Sequence, residues 1–288
     1  MRRVTLRAGK YEAVFLPDLG MLGASIKHRG SELLSLHGGV AGYRSGHSTG
    51  LPLLAPWANR LSKRRFRAAG IEVDLRRVPL HVDGNGLPIH GTMTAVSGWE
   101  VVRLEPARLV ARYGYSTPEM LRAFPFPHEL TIDARVSERG LRVVTSVRPT
   151  GRRRVPVSFG FHPYFKAGRG AVLRMPASRH LELDRKGIPT GRTTPQRSQR
   201  AALKERVFDD LYALGRDRTF VLHRHERDVE VRFGVGYPFA QIFAPPGKPF
   251  VAIEPMTAPT NALVTSACPV VRPSERFSAA FTVSARPG

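Results

Sequence analysis

The sequence predicts an all-β protein of antiparallel strands, and three observations carry that expectation. Apolar and polar residues alternate with a period of two along most of the 288-residue chain, the pattern of half-buried strands. Twenty-seven glycines and 24 prolines punctuate it at short intervals, where turns must fall. Helical spacing is nearly absent. Pattern alone leaves sandwich and barrel both open.

The strands follow in order. Ile71, Val73 and Leu75 alternate with Glu72, Asp74 and Arg76. Leu130, Ile132, Ala134 and Val136 alternate with Thr131, Asp133, Arg135 and Ser137. After Glu138-Arg139-Gly140 the pattern resumes at Leu141, Val143, Thr145 and Val147, which marks a hairpin. Val229, Val231 and Phe233 form a further run, and residues 10–16, 109–115, 219–223, 239–243, 250–254 and 276–283 complete the set. Residues 118–124 and 199–207 are the helical candidates. Residues 185–200, polar with two prolines and two glycines, read as a loop. Strands of the same kind lie on both sides of it, so residues 1–288 are expected to form a single domain.

Composition narrows the class. The 42% hydrophobic content opposes disorder. One cysteine, Cys268, allows no intrachain disulfide and fits a reducing compartment, and it reads as a packing residue. The N-terminal segment carries no apolar stretch of signal length, and no run is long enough to span a bilayer, so a cytoplasmic protein is expected. The net charge of +22 favours polyanions or an anionic substrate. Yet the positive residues are scattered, with clusters only at Lys63-Arg64-Arg65 with Arg67 and at Arg152-Arg153-Arg154. No zinc-finger spacing, RNP-type motif or basic heptad helix accompanies them, so no specific nucleic-acid partner is expected.

Five strings place polar groups where strand patterning calls for apolar ones. In Ser158-Phe159-Gly160-Phe161-His162-Pro163-Tyr164-Phe165, one imidazole stands among aromatic walls and is held extended by a proline. Modest burial can put its pKa where it exchanges a proton near neutrality. In residues 250–263, Glu254 ends an apolar strand and is clamped by Pro255; a carboxylate there is costly unless paired or held ready to take a proton. Asn59-Arg60 follows an apolar run, and arginine offers a fork of donors suited to vicinal hydroxyls or carboxylates. His90 precedes Gly91, which permits close approach. Asp209-Asp210 lies between Phe208 and Tyr212. Each also has a plain structural reading: a strand-end histidine, a buried ion pair, a surface arginine, a turn histidine, a solvated acidic pair. His223 and His225 share a strand face, but no third metal ligand is indicated, so no metal site is expected. No P-loop, G-x-S-x-G elbow or G-x-G-x-x-G is present.

Taken in order, Asn59-Arg60, Ile89-His90-Gly91, Gly160-Phe161-His162-Pro163-Tyr164-Phe165, Phe208-Asp209-Asp210-Leu211-Tyr212 and Glu254-Pro255-Met256-Thr257 resemble the aldose 1-epimerase (galactose mutarotase) family over residues 10–283. The resemblance implies a large antiparallel β-sandwich with few short helices, an open cleft, and neither metal nor organic cofactor. It implies interconversion of the α and β anomers of a free sugar, a monosaccharide partner. Glu254 would take the proton of the C1 hydroxyl, and His162, protonated, would give one to the ring oxygen. Arg60, His90, Asp209 and Asn59 would bind the substrate. Asp209 is chosen over Asp210 because its spacing to Tyr212 suits the family pattern. The acid and base are expected to face each other across a gap one monosaccharide wide.

This chain departs from many members at Gly91-Thr92, where they carry a second glycine, and it is shorter than the best-known galactose-processing ones. The +22 charge points toward a branch acting on hexose 6-phosphates, whereas the Asn59-Arg60 string resembles the neutral-sugar branch. A sugar-binding protein without turnover on the same scaffold is the alternative outside enzymes.

Overall fold

The computed structural model describes residues 1–204, 206–225 and 227–287. Two large antiparallel sheets face each other. One has nine strands, in the order Gln199–Ala202, Val172–Met175, Thr219–His223, Arg227–Phe233, Phe277–Pro287, Gly140–Pro149, His128–Ser137, Arg108–Tyr115 and Glu100–Glu105. The other runs Pro189–Gln196, Ser178–Leu183, Phe208–Leu214, Phe239–Ala244, Phe250–Met256, Gly160–Phe161 and Leu53–Leu54, with Tyr164–Lys166 also paired to Phe250–Met256. The first four strands of the chain make a smaller sheet. The fold is an all-β antiparallel sandwich, as the sequence predicts.

Alternation builds the core. Tyr212, Ala240, Ile242 and Ile253 of the eight-stranded sheet join one apolar cluster with Leu130, Val143 and Val231 of the nine-stranded sheet. Phe161 meets Phe281 across the layers at 5.2 Å between ring centroids, and Phe159 meets Phe277 at 6.1 Å. The intervening residues Gln241 and Glu254 lie directly opposite each other on paired strands and turn away from this core, toward the cleft.

The hairpin at 138–139 forms as read, with Ser137 paired to Gly140. The helix at Pro118–Ala123 forms too, capped by the Thr117 side chain, which accepts the Met120 N–H at 3.4 Å. Three expectations are corrected. The helix expected at 199–207 is replaced at its start by the strand Gln199–Ala202, which pairs with Val172–Met175 and buries Ala201; sheet pairing there overrides the helical preference of its residues. Glu205, in the same stretch, lies outside the described residues. The loop expected at 185–200 contains the strand Pro189–Gln196, an edge strand so exposed that it has no alternation to read, with prolines at 189 and 195 as edge position allows. Glu254 does not end its strand, which runs on to Met256 with all seven residues buried.

Candidate active site

Pro163 interrupts the strand that carries His162. It offers no N–H, so pairing breaks between Gly160–Phe161 and Tyr164–Lys166, and the His162 N–H donates instead to the Pro52 carbonyl at 3.1 Å. Phe161 goes to the core and His162 to the cleft. There the His162 ring stacks on Tyr164 at 4.3 Å and meets Phe243 edge-on at 5.9 Å.

Glu254 arrives from the adjacent strand, and its Oε1 lies 3.1 Å from His162 Nε2. Both side chains are almost wholly buried, at 6% and 2% exposed, yet both line a cleft of about 340 Å³. That volume suits a small-molecule site. Glu254 Oε2 and His162 Nδ1 have no hydrogen-bond partner among the described residues. Burial holds the imidazole neutral, its pKa lowered to about 3. Burial also raises the Glu254 carboxyl well above the usual carboxylate range, with the Asp209 charge adding to the rise and Arg60 opposing it.

Two sequence expectations change here. The acid and base touch rather than face each other across a gap. And burial favours the uncharged form of each, where a protonated His162 opposite an ionised Glu254 was expected.

Arg60 and His90 come from segments pinned to one another. Isolated bridges join Ala55 to Gly91 and Arg60 to Ile89. Gly91 has φ +71°, and a Cβ there would come 2.1 Å from the Ala55 carbonyl oxygen, so only glycine fits. Asn59 (φ +59°) and His90 (φ +64°) are both left-handed, a strained backbone often found at functional sites. The Asn59 N–H donates to His90 Nδ1 at 3.3 Å. The neutral ring must therefore carry its proton on Nε2, and burial keeps it neutral.

The Arg60 guanidinium is held on three sides. Its Nε donates to Asp83 at 2.8 Å, Nη1 to Asn59 Oδ1 at 3.2 Å and Nη2 to Asp209 at 3.4 Å. Asn59, expected only to bind the substrate, thus props Arg60 through its Oδ1. Asp209 also accepts from Gln241 Nε2 at 2.6 Å. Its neighbour Asp210 turns instead to His180 and Arg206.

All six residues singled out in the sequence, Asn59, Arg60, His90, His162, Asp209 and Glu254, line this one cleft. Sequence reading missed Asp83, Gln241, Tyr164 and His37, which line it too. Gln241 left a signal, a lone amide in the apolar run Phe239-Ala240-Gln241-Ile242-Phe243. Asp83 left none, since its glycine-rich turn has no periodicity. Arg60 is the single Lys or Arg lining the cleft among the described residues, and Asp83 and Asp209 balance it. Arg152, Arg153 and Arg154 are exposed elsewhere. His223 hydrogen-bonds Asp228 at 2.9 Å, and no group of three metal-binding side chains occurs among the described residues. Cys268 is partly buried. No helix among the described residues is long and apolar enough to cross a membrane.

Fold and cleft together define a sandwich of the galactose mutarotase-like class. A galactose mutarotase-like protein from Clostridium acetobutylicum superposes with a TM-score of 0.85 at 19% identity, over 99% of this chain and 95% of its own. A Synechocystis protein gives 0.83 at 24% identity, over 100% and 96%. An aldose epimerase homologue from C. elegans gives 0.82 at 15%, over 99% of each. No curated protein sequence matches at a significant level. The sequence profile of the aldose 1-epimerase family matches residues 2–281, and the chain belongs to that family.

Proposed function

We propose that this protein is a mutarotase, an isomerase that interconverts the α and β anomers of a free aldose. The buried contact between His162 and Glu254 on the cleft floor carries the proposal. In a cyclic hemiacetal the anomeric hydroxyl and the ring oxygen are bonded to the same carbon, C1. One proton must leave the first as another reaches the second, so the acid and the base must stand side by side. A touching pair fits this better than a pair split across a ring.

Ring opening begins with Glu254 ionised and His162 protonated. Glu254 takes the proton of the C1 hydroxyl, His162 gives its proton to the ring oxygen, and the bond from C1 to the ring oxygen breaks. The aldehyde then sits over Glu254 and His162 in their uncharged forms, the pair of states that burial favours. Rotation about C1–C2 and reversal of both transfers close the ring as the other anomer, with no net proton taken from solvent. The costly state is the charged pair before opening. Arg60 lowers the Glu254 pKa and so favours it. The Nε2–H of His90 and the guanidinium of Arg60 are donors for sugar oxygens, and Asp209 and Gln241 hold hydroxyls. Asn59 acts by positioning Arg60.

A neutral sugar suits the cleft better than a hexose 6-phosphate, because Arg60, the one Arg or Lys lining it among the described residues, is already balanced by Asp83 and Asp209. In this proposal residues 1–288 act as one domain in the cytoplasm, which the single cysteine suits. The test is a screen of anomer exchange by polarimetry or NMR across glucose, galactose, xylose, arabinose and glucose 6-phosphate. Acceleration of at least one neutral aldose is expected. Tight sugar binding by calorimetry with no acceleration for any of them would establish a binding protein instead.

A further inference from the structure

We propose that a cavity between three loops, separate from the cleft, binds a nucleoside polyphosphate, with the phosphates on a rim of cations and the base on an apolar floor. The inference does not depend on the mutarotase proposal. One loop follows Tyr164–Lys166, one follows Gln199–Ala202, and the third joins Phe239–Ala244 to Phe250–Met256. Backbone hydrogen bonds pin them together. The Ala167 N–H donates to the Pro249 carbonyl at 2.9 Å, and the Leu203 N–H to the Ala171 carbonyl at 3.1 Å. They enclose about 380 Å³, enough for a small molecule, and share no lining residue with the cleft.

Charge sets this cavity apart. Arg169, Lys204, Arg206 and Lys248 line it, and no carboxylate does among the described residues. The arginine of the cleft is already balanced by two aspartates. Of the four cations here, only Arg206 has an ion-pair partner among the described residues, Asp210 at 3.8 Å. Like charges around one cavity repel, and a polyanion relieves them. The planar fork of arginine and the point charge of lysine both suit phosphate oxygens.

The floor sets the other half of the ligand. Leu203, Val207, Pro246, Pro249 and Phe250 line the same space. Val207 is 59% exposed, one of the few large apolar side chains left in water among the described residues. Inorganic phosphate would leave this floor wet, and a neutral ring would leave the cations unbalanced. A flat base with a polyphosphate tail meets both needs. The Arg206 guanidinium lies over the Phe208 ring at 4.4 Å from its centroid, which steadies it for a phosphate. With the loops already joined, little ordering remains to be done on binding.

Phe250 connects this cavity to the cleft. Its ring stacks on His37 at 4.4 Å and meets Tyr164 edge-on at 5.2 Å, and both of those residues line the cleft. A base resting on Phe250 is one ring away from His37, so the His37 resonances report occupancy.

The test is calorimetry with ATP, inorganic triphosphate and adenosine, without divalent cations. It uses the full chain as wild type, Lys248→Glu, Val207→Ser and a control carrying Arg152→Glu with Arg153→Glu, outside the cavity. All four positions are exposed. ATP is expected to bind the wild type at least about tenfold tighter than triphosphate or adenosine. Lys248→Glu should weaken ATP about tenfold or more, and the control pair less than about twofold. Val207→Ser should weaken ATP about fivefold and leave triphosphate unchanged. The NMR signals of the His37 ring should shift as ATP saturates the wild type. Triphosphate bound as tightly as ATP, or an equal loss in the control pair, would mean attraction of any polyanion to a basic protein and overturns the site. ATP affinity unchanged by Lys248→Glu and Val207→Ser overturns it too, as does no ATP binding up to millimolar concentration.

Discussion

His162–Glu254 and His180–Asp210 are the same two kinds of group at the same separation, 3.1 Å from Nε2 to a carboxylate oxygen, and both involve the eight-stranded sheet. They differ in burial. The first pair is 6% and 2% exposed, the second 28% and 25%. Water can solvate the second pair and replace its contact, so it contributes little beyond local order. Water is largely excluded from the first, where charge separation is expensive and burial favours the uncharged form of both groups. The contact alone does not set the first pair apart for the proposed acid–base role; burial does, together with the cleft that both side chains line.

The sharpest way to break the comparison is to remove the histidine from each pair. His162→Ala is expected to lower anomer exchange about 10²–10⁴-fold, the weight of one general acid or base, whereas His180→Ala changes it less than about twofold. NMR exchange on variants with native circular dichroism checks both. Equal effects would end the distinction.

Asp83→Ala is the next largest. It removes the better-buried of the two carboxylates on Arg60. Stability should fall by roughly 1–3 kcal/mol, between the surface and buried limits for an ion pair, and KM should rise about tenfold as the guanidinium loses its aim. Denaturant titration and initial rates read the two effects separately.

Glu254→Gln sharpens the burial side. The folded-state pKa of Glu254 is raised, so its contribution to stability is present below the ordinary carboxylate pKa of about 4.5 and is lost as pH rises toward the folded value. Glutamine cannot ionise and keeps that contribution. The variant should therefore be more stable than the wild type at pH 8, by on the order of 1 kcal/mol or more, with the gap closing below pH 4.5. A gap that widens on acidification would contradict the sign.

The smallest contrast is between neighbours. Asp209→Ala is expected to raise KM about tenfold through lost hydroxyl contacts, and Asp210→Ala to leave it unchanged.

The same alternation that separates Asp209 from Asp210 made most of the sandwich legible. Residues 130–136 and 141–147 could be read as a hairpin because one face of each strand is buried and the other is wet. Pro189–Gln196 could not, because both of its faces are exposed and nothing selects a period. All six candidate residues that line the cleft were legible as polar groups set in apolar or aromatic runs, or through a family resemblance. Their geometry was not. That His162 touches Glu254 depends on Pro163 breaking one strand while Glu254 sits inside the next, and sequence patterning does not reach that register. Nor does it show that Asn59 faces Arg60, a consequence of a left-handed turn at a non-glycine residue.

Burial as the source of the proposed acid–base pair is tested most directly by NMR titration of the His162 ring nitrogens in the unliganded protein. The ring is expected to stay neutral from pH 8 down to pH 5, since its pKa is lowered to about 3. A ring already protonated at pH 7, with Glu254 ionised beside it, would contradict the account.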